Sequence, residues 1–439
     1  MSYRTSIVFT AVLTAAACPG RPVWAQSAPA TQPEARIPVS GARNPDLAPL
    51  DDLMISVVQK HNVPGAALAV TRDGRLVYAR GFGYADLSTR RPVQPNSLFR
   101  IASVSKPITA TAVLQLVEKN KLRLDDRVFD ILKLQPHLAA GAKVDERLGQ
   151  ITVLQLLHHT GGWDIGKSGD PMFMSVQIAR ELHVAPPAGT EQIIRYMMGR
   201  PLDFDPGTRY SYSNFGYCLL GRIIETAGGQ PYERYVREHV LATAGIRDMR
   251  IGKTLPAFAL SGEVRYYDSR KHTGPCVFKK DLGRTVPAPY GASYLEAMDS
   301  HGGWVASAVD LVRFAGEFDR PERCRLLGAK GIRTMFARPA GPARYDAGGK
   351  PRSLYYACGW NVRPVGSEGK VTAWHNGALG GTSSLLLRRH DGMDWAVLFN
   401  TDSGSDGILL CYTIDTLLHQ AVDTVKVWPK EDLFKEANP

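Results

Sequence analysis

The sequence predicts an α+β protein, an α/β sandwich in which strands from both ends of the chain form one antiparallel sheet flanked by helices. Three observations predict this class. Two strand-like runs surround an Asp-Gly turn near the N-terminus, helical patterns fill the middle, and strand-like runs separated by turn residues return near the C-terminus. This order makes the mainly helical lobe an insertion between two parts of one sheet. The 439 residues, 44% of them hydrophobic, suffice for one large core or two modest ones.

The first 25 residues have the pattern of a secretory signal peptide. Arg4 precedes an apolar run at residues 7–17 that is too short to span a bilayer, and Val23-Trp24-Ala25 is a small-x-small-like cleavage site. We therefore expect export, to the periplasm or the extracellular space, with cleavage after Ala25. Lipid anchoring through Cys18 is a weaker alternative, because LTAAAC matches a lipoprotein cleavage box only loosely.

One large domain is expected to follow a short spacer. Residues 26–45 are rich in Ala, Pro, Gln and Ser, which predicts a disordered spacer. The domain then covers residues 46–424, and residues 425–439 are expected to form a C-terminal tail. The domain is expected to consist of a sheet lobe, at about residues 46–105 and 302–424, and a helical lobe, at about residues 106–301.

Charge and cysteine content exclude some classes of function. The formal net charge of +11 comes from scattered basic residues without a dense Lys/Arg run, which argues against nucleic-acid binding. Association with an anionic cell wall or membrane surface is compatible with this charge, although a solvated basic surface is the ordinary explanation. Five of the six cysteines follow residue 25, and no C-x-x-C pair offers zinc or redox chemistry. Cys276 and Cys324 are a candidate disulfide that no geometric argument supports.

The elements follow in chain order from local patterns. Apolar residues recur with helical period from Asp46, and strand-like runs at 65–71 and 76–82 flank a turn that contains Asp73-Gly74. A helix that carries Ser103 should end near Asn120. The predicted helices of the middle region are residues 153–159 with Thr152 as N-cap, 192–198 with Thr190 as N-cap, 214–226 ending at Gly228-Gly229, and one from Pro231 towards Thr243.

The last third of the chain combines a loop region with strands. Residues 253–300 have little periodicity and much Gly, Pro and Tyr, which is typical of a long loop region that covers a site. The predicted C-terminal strands are residues 355–362, 372–375, 382–388 and 394–400, and the last helix is residues 407–422.

Ser103 and Lys106 are candidates for a nucleophile and its base. Three residues apart, they share one face of the predicted helix. That helix is largely apolar, and burial lowers the pKa of a lysine until its neutral amine can accept a proton from a neighbouring hydroxyl. The plainer interpretation leaves Lys106 in solvent, because Ser-x-x-Lys arises by chance. Ser367 and Lys370 repeat the spacing in a polar stretch that resembles a turn.

Tyr212 and Asn214 are candidates for the partners of this pair. They form the only Tyr-x-Asn of the sequence, between a turn and an amphipathic helix, and can point the same way from an extended loop. A Tyr212 phenolate stabilised beside Lys106 could relay a proton, and the Asn214 amide could hold both the lysine and a substrate amide. The alternative is that Tyr212 is packing and Asn214 caps the helix.

His375 is the most informative of five histidines that have glycine two residues later. It ends a strand-like run before the glycine-rich residues 376–381, where a ligand or another backbone can come close. The same pattern at His159, His301 and His390 lies in turns, so we interpret these three as hydrogen-bonded turn histidines. His272 lies in the irregular region.

Three motifs in order resemble those of the serine β-lactamase and penicillin-binding protein superfamily: Ser103-Val-Ser-Lys106, Tyr212-Ser-Asn214 and His375-Asn-Gly377. The likeness is to class C β-lactamases, family VIII esterases and D-alanyl-D-alanine carboxypeptidases. It covers about residues 46–422 and includes residues 156–162 and 302–310. It implies a β-lactamase/transpeptidase-like fold and a serine hydrolase with neither metal nor cofactor.

The resemblance also assigns roles to residues. Ser103 would be the acyl-accepting nucleophile and Lys106 its general base, a role that Tyr212 shares while passing the proton to the leaving group. Asn214 would orient Lys106 and the substrate amide. The backbone N–H groups of Ser103 and Ala378 would form the oxyanion hole.

The substrate is the least determined property. His375 stands where lactamases and many carboxypeptidases carry lysine, and a neutral imidazole is a poorer anchor for a substrate carboxylate. His375 and Gly377 are therefore expected to serve substrate binding in an esterase or D-amino-acid peptidase. A class C-like β-lactamase is the alternative enzyme, and a non-catalytic penicillin- or peptide-binding protein is the second alternative. A metal hydrolase built on His158, His159 and Asp164 is disfavoured, because neighbouring histidines point apart.

Overall fold

The computed structural model describes residues 37–346, 348–366 and 369–436. The expected signal peptide and residues 26–36 of the expected spacer lie outside the described residues. Within the described part of the chain, none of the helices combines the length and the hydropathy that a membrane-spanning helix needs.

A large antiparallel sheet joins the two ends of the chain. The strands of the structure are β1 (Val39–Ser40), β2 (Gly65–Arg72), β3 (Arg75–Asp86), β4 (Arg91–Pro92), β5 (Phe99–Arg100), β6 (Arg250–Ile251), β7 (Thr273–Pro275), β8 (Thr285–Pro287), β9 (Trp304–Ala306), β10 (Tyr355–Tyr356), β11 (Asn361–Val365), β12 (Lys370–Leu379), β13 (Thr382–Arg388) and β14 (Met393–Phe399). The main sheet has the order β1-β3-β2-β14-β13-β12-β11-β10, and β4 pairs with β3. Strands β2 and β14 pair in a register that places Val70 opposite Trp395.

Helices cover both faces of this sheet and build the inserted lobe. The helices are α1 (Ala48–Lys60), α2 (Ser105–Glu118), α3 (Val128–Leu132), α4 (Val153–Leu157), α5 (Ile165–Ser168), α6 (Ser175–Glu181), α7 (Thr190–Met198), α8 (Asn214–Gly228), α9 (Tyr232–Val236), α10 (Ala308–Gly316), α11 (Ala329–Met335), α12 (Leu410–Thr424) and α13 (Leu433–Glu436). Helices α1 and α12 pack on one face through residues such as Met54 and Ile414. Helices α2, α8 and α10 belong to the larger core on the other face.

Several predicted elements are confirmed. The hairpin is β2–β3, and the sheet is shared by N- and C-terminal strands as the order of patterns predicts. Thr152 caps α4 in a capping box with Gln155. Helix α8 ends at Gly229, whose left-handed backbone (φ 72°) favours glycine. Residues 253–300 contain only short 3₁₀ turns and the β7–β8 ribbon in addition to loops.

The structure corrects other expectations. Residues 37–45 are not a disordered spacer, because Val39 and Ser40 pair with β3. The C-terminal tail is also folded in part, since α13 lies within residues 425–439. The predicted strand 355–362 is two strands, β10 and β11, and β12 continues through the glycine-rich stretch to Leu379. Gly189 and not Thr190 is the N-cap of α7. Cys276 and Cys324 are free thiols, so the suggested disulfide is wrong.

Candidate active site

A cleft of about 460 Å³ opens between β12 and the helical lobe. Its lining residues include all but one of the predicted site residues: Ser103, Tyr212, Asn214, His375, Gly377 and Ala378. Aromatic side chains complete the walls: Phe173, Tyr210, Tyr356 and Tyr412. Lys106 lies beneath this surface, fully buried. The structure therefore brings the three sequence motifs together in one place.

Ser103 lies in a strained turn just before α2. The sequence predicts Ser103 inside the helix, but Ala102–Val104 form a 3₁₀ turn and α2 begins at Ser105. Ala102 has φ 46°, a left-handed conformation that is unfavourable for alanine and is typical of functional turns. Hydroxyls of β13 hold the preceding segment, because Ser384 Oγ donates to the Ile101 carbonyl at 2.7 Å and Thr382 Oγ1 to the Arg100 carbonyl at 2.7 Å.

Lys106 is buried and surrounded by acceptors. Its Nζ lies 3.0 Å from Ser103 Oγ and donates to Asn214 Oδ1 at 2.8 Å and to the His301 carbonyl at 2.8 Å. Burial lowers the pKa of Lys106 well below its ordinary value, and the charge of Asp170 opposes this shift. The interpretation that leaves Lys106 in solvent is therefore wrong. A neutral amine beside a serine hydroxyl is the arrangement a general base requires.

Tyr212 completes the contact with Ser103. Its hydroxyl donates to Ser103 Oγ at 2.8 Å, and its ring centroid lies 4.8 Å from Lys106 Nζ. Burial raises the pKa of Tyr212, and the hydrogen bond that its hydroxyl donates to Ser103 only partly opposes that shift. The expectation of a stabilised phenolate is therefore wrong for the free enzyme, since the phenol keeps its proton.

Asn214 is positioned by the start of α8. Ser213 is the N-cap, and its hydroxyl accepts from Gly216 N–H, which leaves the Asn214 side chain free of a capping role. The Asn214 Nδ2 group donates to Asp170 Oδ2 at 2.7 Å, while Oδ1 faces Lys106. Because a carboxylate accepts and does not donate, Asp170 fixes which end of the amide faces the lysine.

β12 supplies the wall opposite Tyr212. The His375 imidazole is held by the Tyr356 hydroxyl at 2.9 Å and by the Asn376 carbonyl at 2.7 Å. Burial and the neighbouring Lys106 lower the pKa of His375 to about 3, so this imidazole is neutral. A Cβ on Gly377 would lie 2.3 Å from the Ile101 carbonyl oxygen, so glycine lets β12 approach the Ser103 turn. Ala378 follows at the mouth of the cleft.

Several residues of the site are missed by the motifs. Asp170 and Tyr356 contact motif residues but carry no spacing signal of their own. His159 is more than a turn histidine, since its Nδ1 accepts from Ser213 N–H at 3.2 Å and its ring lies 4.4 Å from the rings of both Tyr212 and Tyr356. The family resemblance includes the stretch with His159, residues 156–162, and His301 directly precedes the second such stretch, residues 302–310.

His158 and Asp164, two residues of the disfavoured metal site, have other partners. His158 Nε2 lies 3.7 Å from Cys358 Sγ, and Asp164 pairs with Arg209 at 2.7 Å. Among the described residues, the ligand atoms of Asp268, His272 and Asp402 lie within 4.8 Å of one another. Within this group, Asp268 Oδ2 lies 3.0 Å from His272 Nδ1, a hydrogen-bond distance.

Comparison with known proteins places this site in a family. The family model described as Beta-lactamase matches residues 50–413. Esterase EstB of Burkholderia gladioli is 30% identical over 76% of this chain and 79% of its own length, and penicillin-binding protein 4 of Amycolatopsis lactamdurans is 32% identical over 74% and 78%. The octameric penicillin-binding protein homologue from Pyrococcus abyssi superposes with a TM-score of 0.63 at 26% identity, over 85% of this chain and 78% of that one. The fold is confirmed, and the chain belongs to the β-lactamase family and is a serine hydrolase of the β-lactamase and penicillin-binding protein superfamily.

Proposed function

We propose that this enzyme transfers an acyl group from an ester or amide substrate to Ser103 and then to water. The observation that carries the proposal is the position of Ser103 Oγ, 3.0 Å from the Lys106 amine and 2.8 Å from the Tyr212 hydroxyl at the floor of the cleft. These distances suit proton transfer without rearrangement.

Lys106 acts as the general base in its neutral form. A neutral amine has two N–H donors and one lone pair. Asn214 Oδ1 and the His301 carbonyl can take the two donors, both at 2.8 Å, which directs the lone pair towards Ser103. The amine accepts the Ser103 proton as Oγ attacks the substrate carbonyl. Tyr212, which keeps its phenolic proton, donates it to the leaving group and recovers one from Lys106.

Water completes the turnover. It attacks the Ser103 ester and gives a proton to the Lys106 amine. Tyr212 donates its phenolic proton to the departing Ser103 Oγ and recovers one from Lys106, and the acid is released. The N–H groups of Ser103 and Ala378 are assigned to the oxyanion by resemblance to the family, and the nearness of Ala378 to the Ser103 turn along β12 is compatible with that role.

The lining of the cleft favours neutral esters or D-amino-acid amides. Among the described residues that line it, none is lysine or arginine, and His375 is neutral. A substrate carboxylate therefore lacks a fixed cation at this wall. The relatives named as an esterase and as penicillin-binding proteins are compatible with this class.

Enzyme assays can distinguish this proposal from its two alternatives, a β-lactamase and a non-catalytic binding protein. A short-chain p-nitrophenyl ester, a D-Ala-D-Ala peptide and a chromogenic cephalosporin should be tested in parallel. Fast turnover of the cephalosporin alone would indicate a class C-like β-lactamase. Acylation of Ser103 by a penicillin without turnover of any substrate would indicate a binding protein.

Ser103→Ala tests the nucleophile directly. We expect kcat to fall by about a millionfold, the scale found for loss of a hydrolase nucleophile. Ser367→Ala, in the second Ser-x-x-Lys of the sequence, is the matched control and should keep full activity. A fluorophosphonate should add its mass to Ser103 in the wild-type protein. Turnover close to wild type in Ser103→Ala would refute the assignment.

Export rests on the sequence of the first 25 residues. We expect the protein purified from cell envelopes to begin at Gln26, because Val23-Trp24-Ala25 suits signal peptidase. Mass spectrometry of the intact mature protein measures this. A retained Met1 would contradict export by this signal, and a lipid-modified Cys18 would favour the anchored alternative.

A further inference from the structure

A second cavity, larger than the catalytic cleft, lies on the other side of β10. Its volume is about 630 Å³, and it lies between the end of α10, helix α11 and strands β10–β13. The apolar walls are formed by Phe318, Ile332, Phe336 and Tyr355, all buried. Nothing in the proposed hydrolysis uses this space.

The two cavities are separated by β10. Consecutive residues of a strand point to opposite faces. Tyr356 lines the catalytic cleft and bonds to His375, whereas Tyr355 lines the second cavity and donates its hydroxyl to the Phe336 carbonyl at 2.9 Å. A ligand in the second cavity would therefore contact the back of the strand that carries Tyr356, not the reacting groups.

The side chains that line the second cavity carry an excess of positive charge. Asp319 is the only acidic residue among its described lining residues, and Arg388 Nε lies 3.1 Å from its carboxylate. That pair is close to neutral. Arg333 is exposed at the mouth, and the Arg338 guanidinium lies 4.3 Å from the Tyr355 ring centroid. The guanidinium groups of Arg333 and Arg338 thus lie beside an apolar interior, without an acidic partner among the described residues that line the cavity.

We propose that this cavity is an accessory binding site for a small amphipathic anion, with an apolar body between Phe336 and Tyr355 and an anionic group beside Arg333 and Arg338. Guanidinium groups bind carboxylate, sulfonate and phosphate oxygens through paired donors. The apolar walls supply the affinity that an exposed ion pair alone lacks. The position of the anion at the mouth leaves it partly hydrated, which avoids the cost of burying it.

A pair of fluorescent probes tests the proposal on the full-length enzyme. 8-Anilinonaphthalene-1-sulfonate carries the required anion, and N-phenyl-1-naphthylamine has the same rings without it. We expect the sulfonate probe to bind saturably at one site per chain, with an affinity at least about tenfold higher than that of N-phenyl-1-naphthylamine. Its affinity should fall as the salt concentration is raised. The sulfonate should still bind after a fluorophosphonate has modified Ser103, because the two cavities are separate.

Variants locate the bound probe. Arg333→Glu should weaken binding of the sulfonate probe by about fivefold or more. It should leave the binding of N-phenyl-1-naphthylamine and the rate of hydrolysis unchanged. Ala329→Trp, at an exposed lining position, should weaken both probes by filling the mouth. Arg180→Glu on α6 makes the same charge change at an exposed position remote from the cavity lining and should change nothing. Equal affinity for both probes, loss of binding after Ser103 modification, or unchanged binding in Arg333→Glu would each overturn the proposal.

Discussion

At the scale of single residues, the chemistry depends on burial more than on spacing. Ser103 and Lys106 repeat a four-residue pattern that also occurs at Ser367 and Lys370, so the pattern alone cannot select between them. Lys106 differs because it is fully buried and bonded to Asn214 and to the His301 carbonyl. Burial lowers the pKa of Lys106, and burial also keeps the proton on the phenol of Tyr212, in both cases because a buried charge is costly.

Asp170 is the residue that we expect to set the pH dependence. Its negative charge raises the pKa of Lys106, so Asp170→Asn should lower that pKa further. Because the neutral amine is the proposed base, the acid limb of the kcat/KM profile should then move to lower pH. The limiting rate should fall by about tenfold or more, because an amide at position 170 can present a donor as well as an acceptor and so no longer fixes the orientation of the Asn214 amide.

The measurement is a pH–rate profile for wild type and variant with a neutral ester. Asp164→Asn is the control, since Asp164 pairs with the exposed Arg209 and does not contact Asn214. A lower rate with an unchanged acid limb would mean that Asp170 acts only on the local structure.

At the scale of elements, the site depends on how closely β12 and β13 approach the turn that carries Ser103. Two hydroxyls of β13 hold residues 100 and 101, and Gly377 of β12 packs against the Ile101 carbonyl. The strained conformation of Ala102 persists because both strands and α2 constrain it. The distances at Ser103 are therefore a property of sheet packing as much as of α2.

Gly377→Ala tests this approach. An added Cβ would lie 2.3 Å from both the Ile101 carbonyl oxygen and Ser384 Oγ, so β12 must move away from the turn. We expect kcat/KM to fall by about a hundredfold, the scale of a displacement near 1 Å at a reacting group. Gly149→Ala, where nothing lies within 4 Å of the added carbon, should be neutral. The rate of fluorophosphonate labelling of Ser103 measures the effect, and wild-type labelling in Gly377→Ala would disprove it.

At the scale of the whole molecule, residues far apart in the chain complete one sheet and fix its ends. Strands β2 and β14 pair although more than 300 residues separate them, and β1 closes the edge on β3. The C-terminal segment returns to the same edge. Arg75 Nη1 donates to the Lys430 carbonyl at 2.8 Å, Leu76 N–H donates to Asp432 Oδ1 at 3.1 Å, and Phe434 lies 3.8 Å from the Arg313 guanidinium.

A chain that ends at Trp428 tests the contribution of this segment. Loss of these contacts should lower the free energy of unfolding by about 1–3 kcal/mol, because a backbone donor on β3 and a cation–π contact lose their partners. Hydrolysis should be unchanged, since none of these residues lines the cleft. Urea denaturation measures the difference, and a chain that ends at Glu436 is the control expected to match wild type. Equal stability of the shorter chain would show that the segment is a tail, as its sequence suggests.

The composite sheet and the inserted helical lobe could be predicted from the sequence because alternation, helical period and turn residues are local signals, and the three motifs could be found because residue identity and spacing are local as well. Asp170, Tyr356, the His301 carbonyl and the strained Ala102 turn carry no such signal, and only the folded chain brings them to the residues of the three motifs. Only the packing of the chain shows that the Ser103 hydroxyl lies beside a buried amine and that burial keeps the proton on Tyr212. The physical reason is that burial and hydrogen-bond partners set the protonation of these groups, and both are supplied by residues remote in the chain.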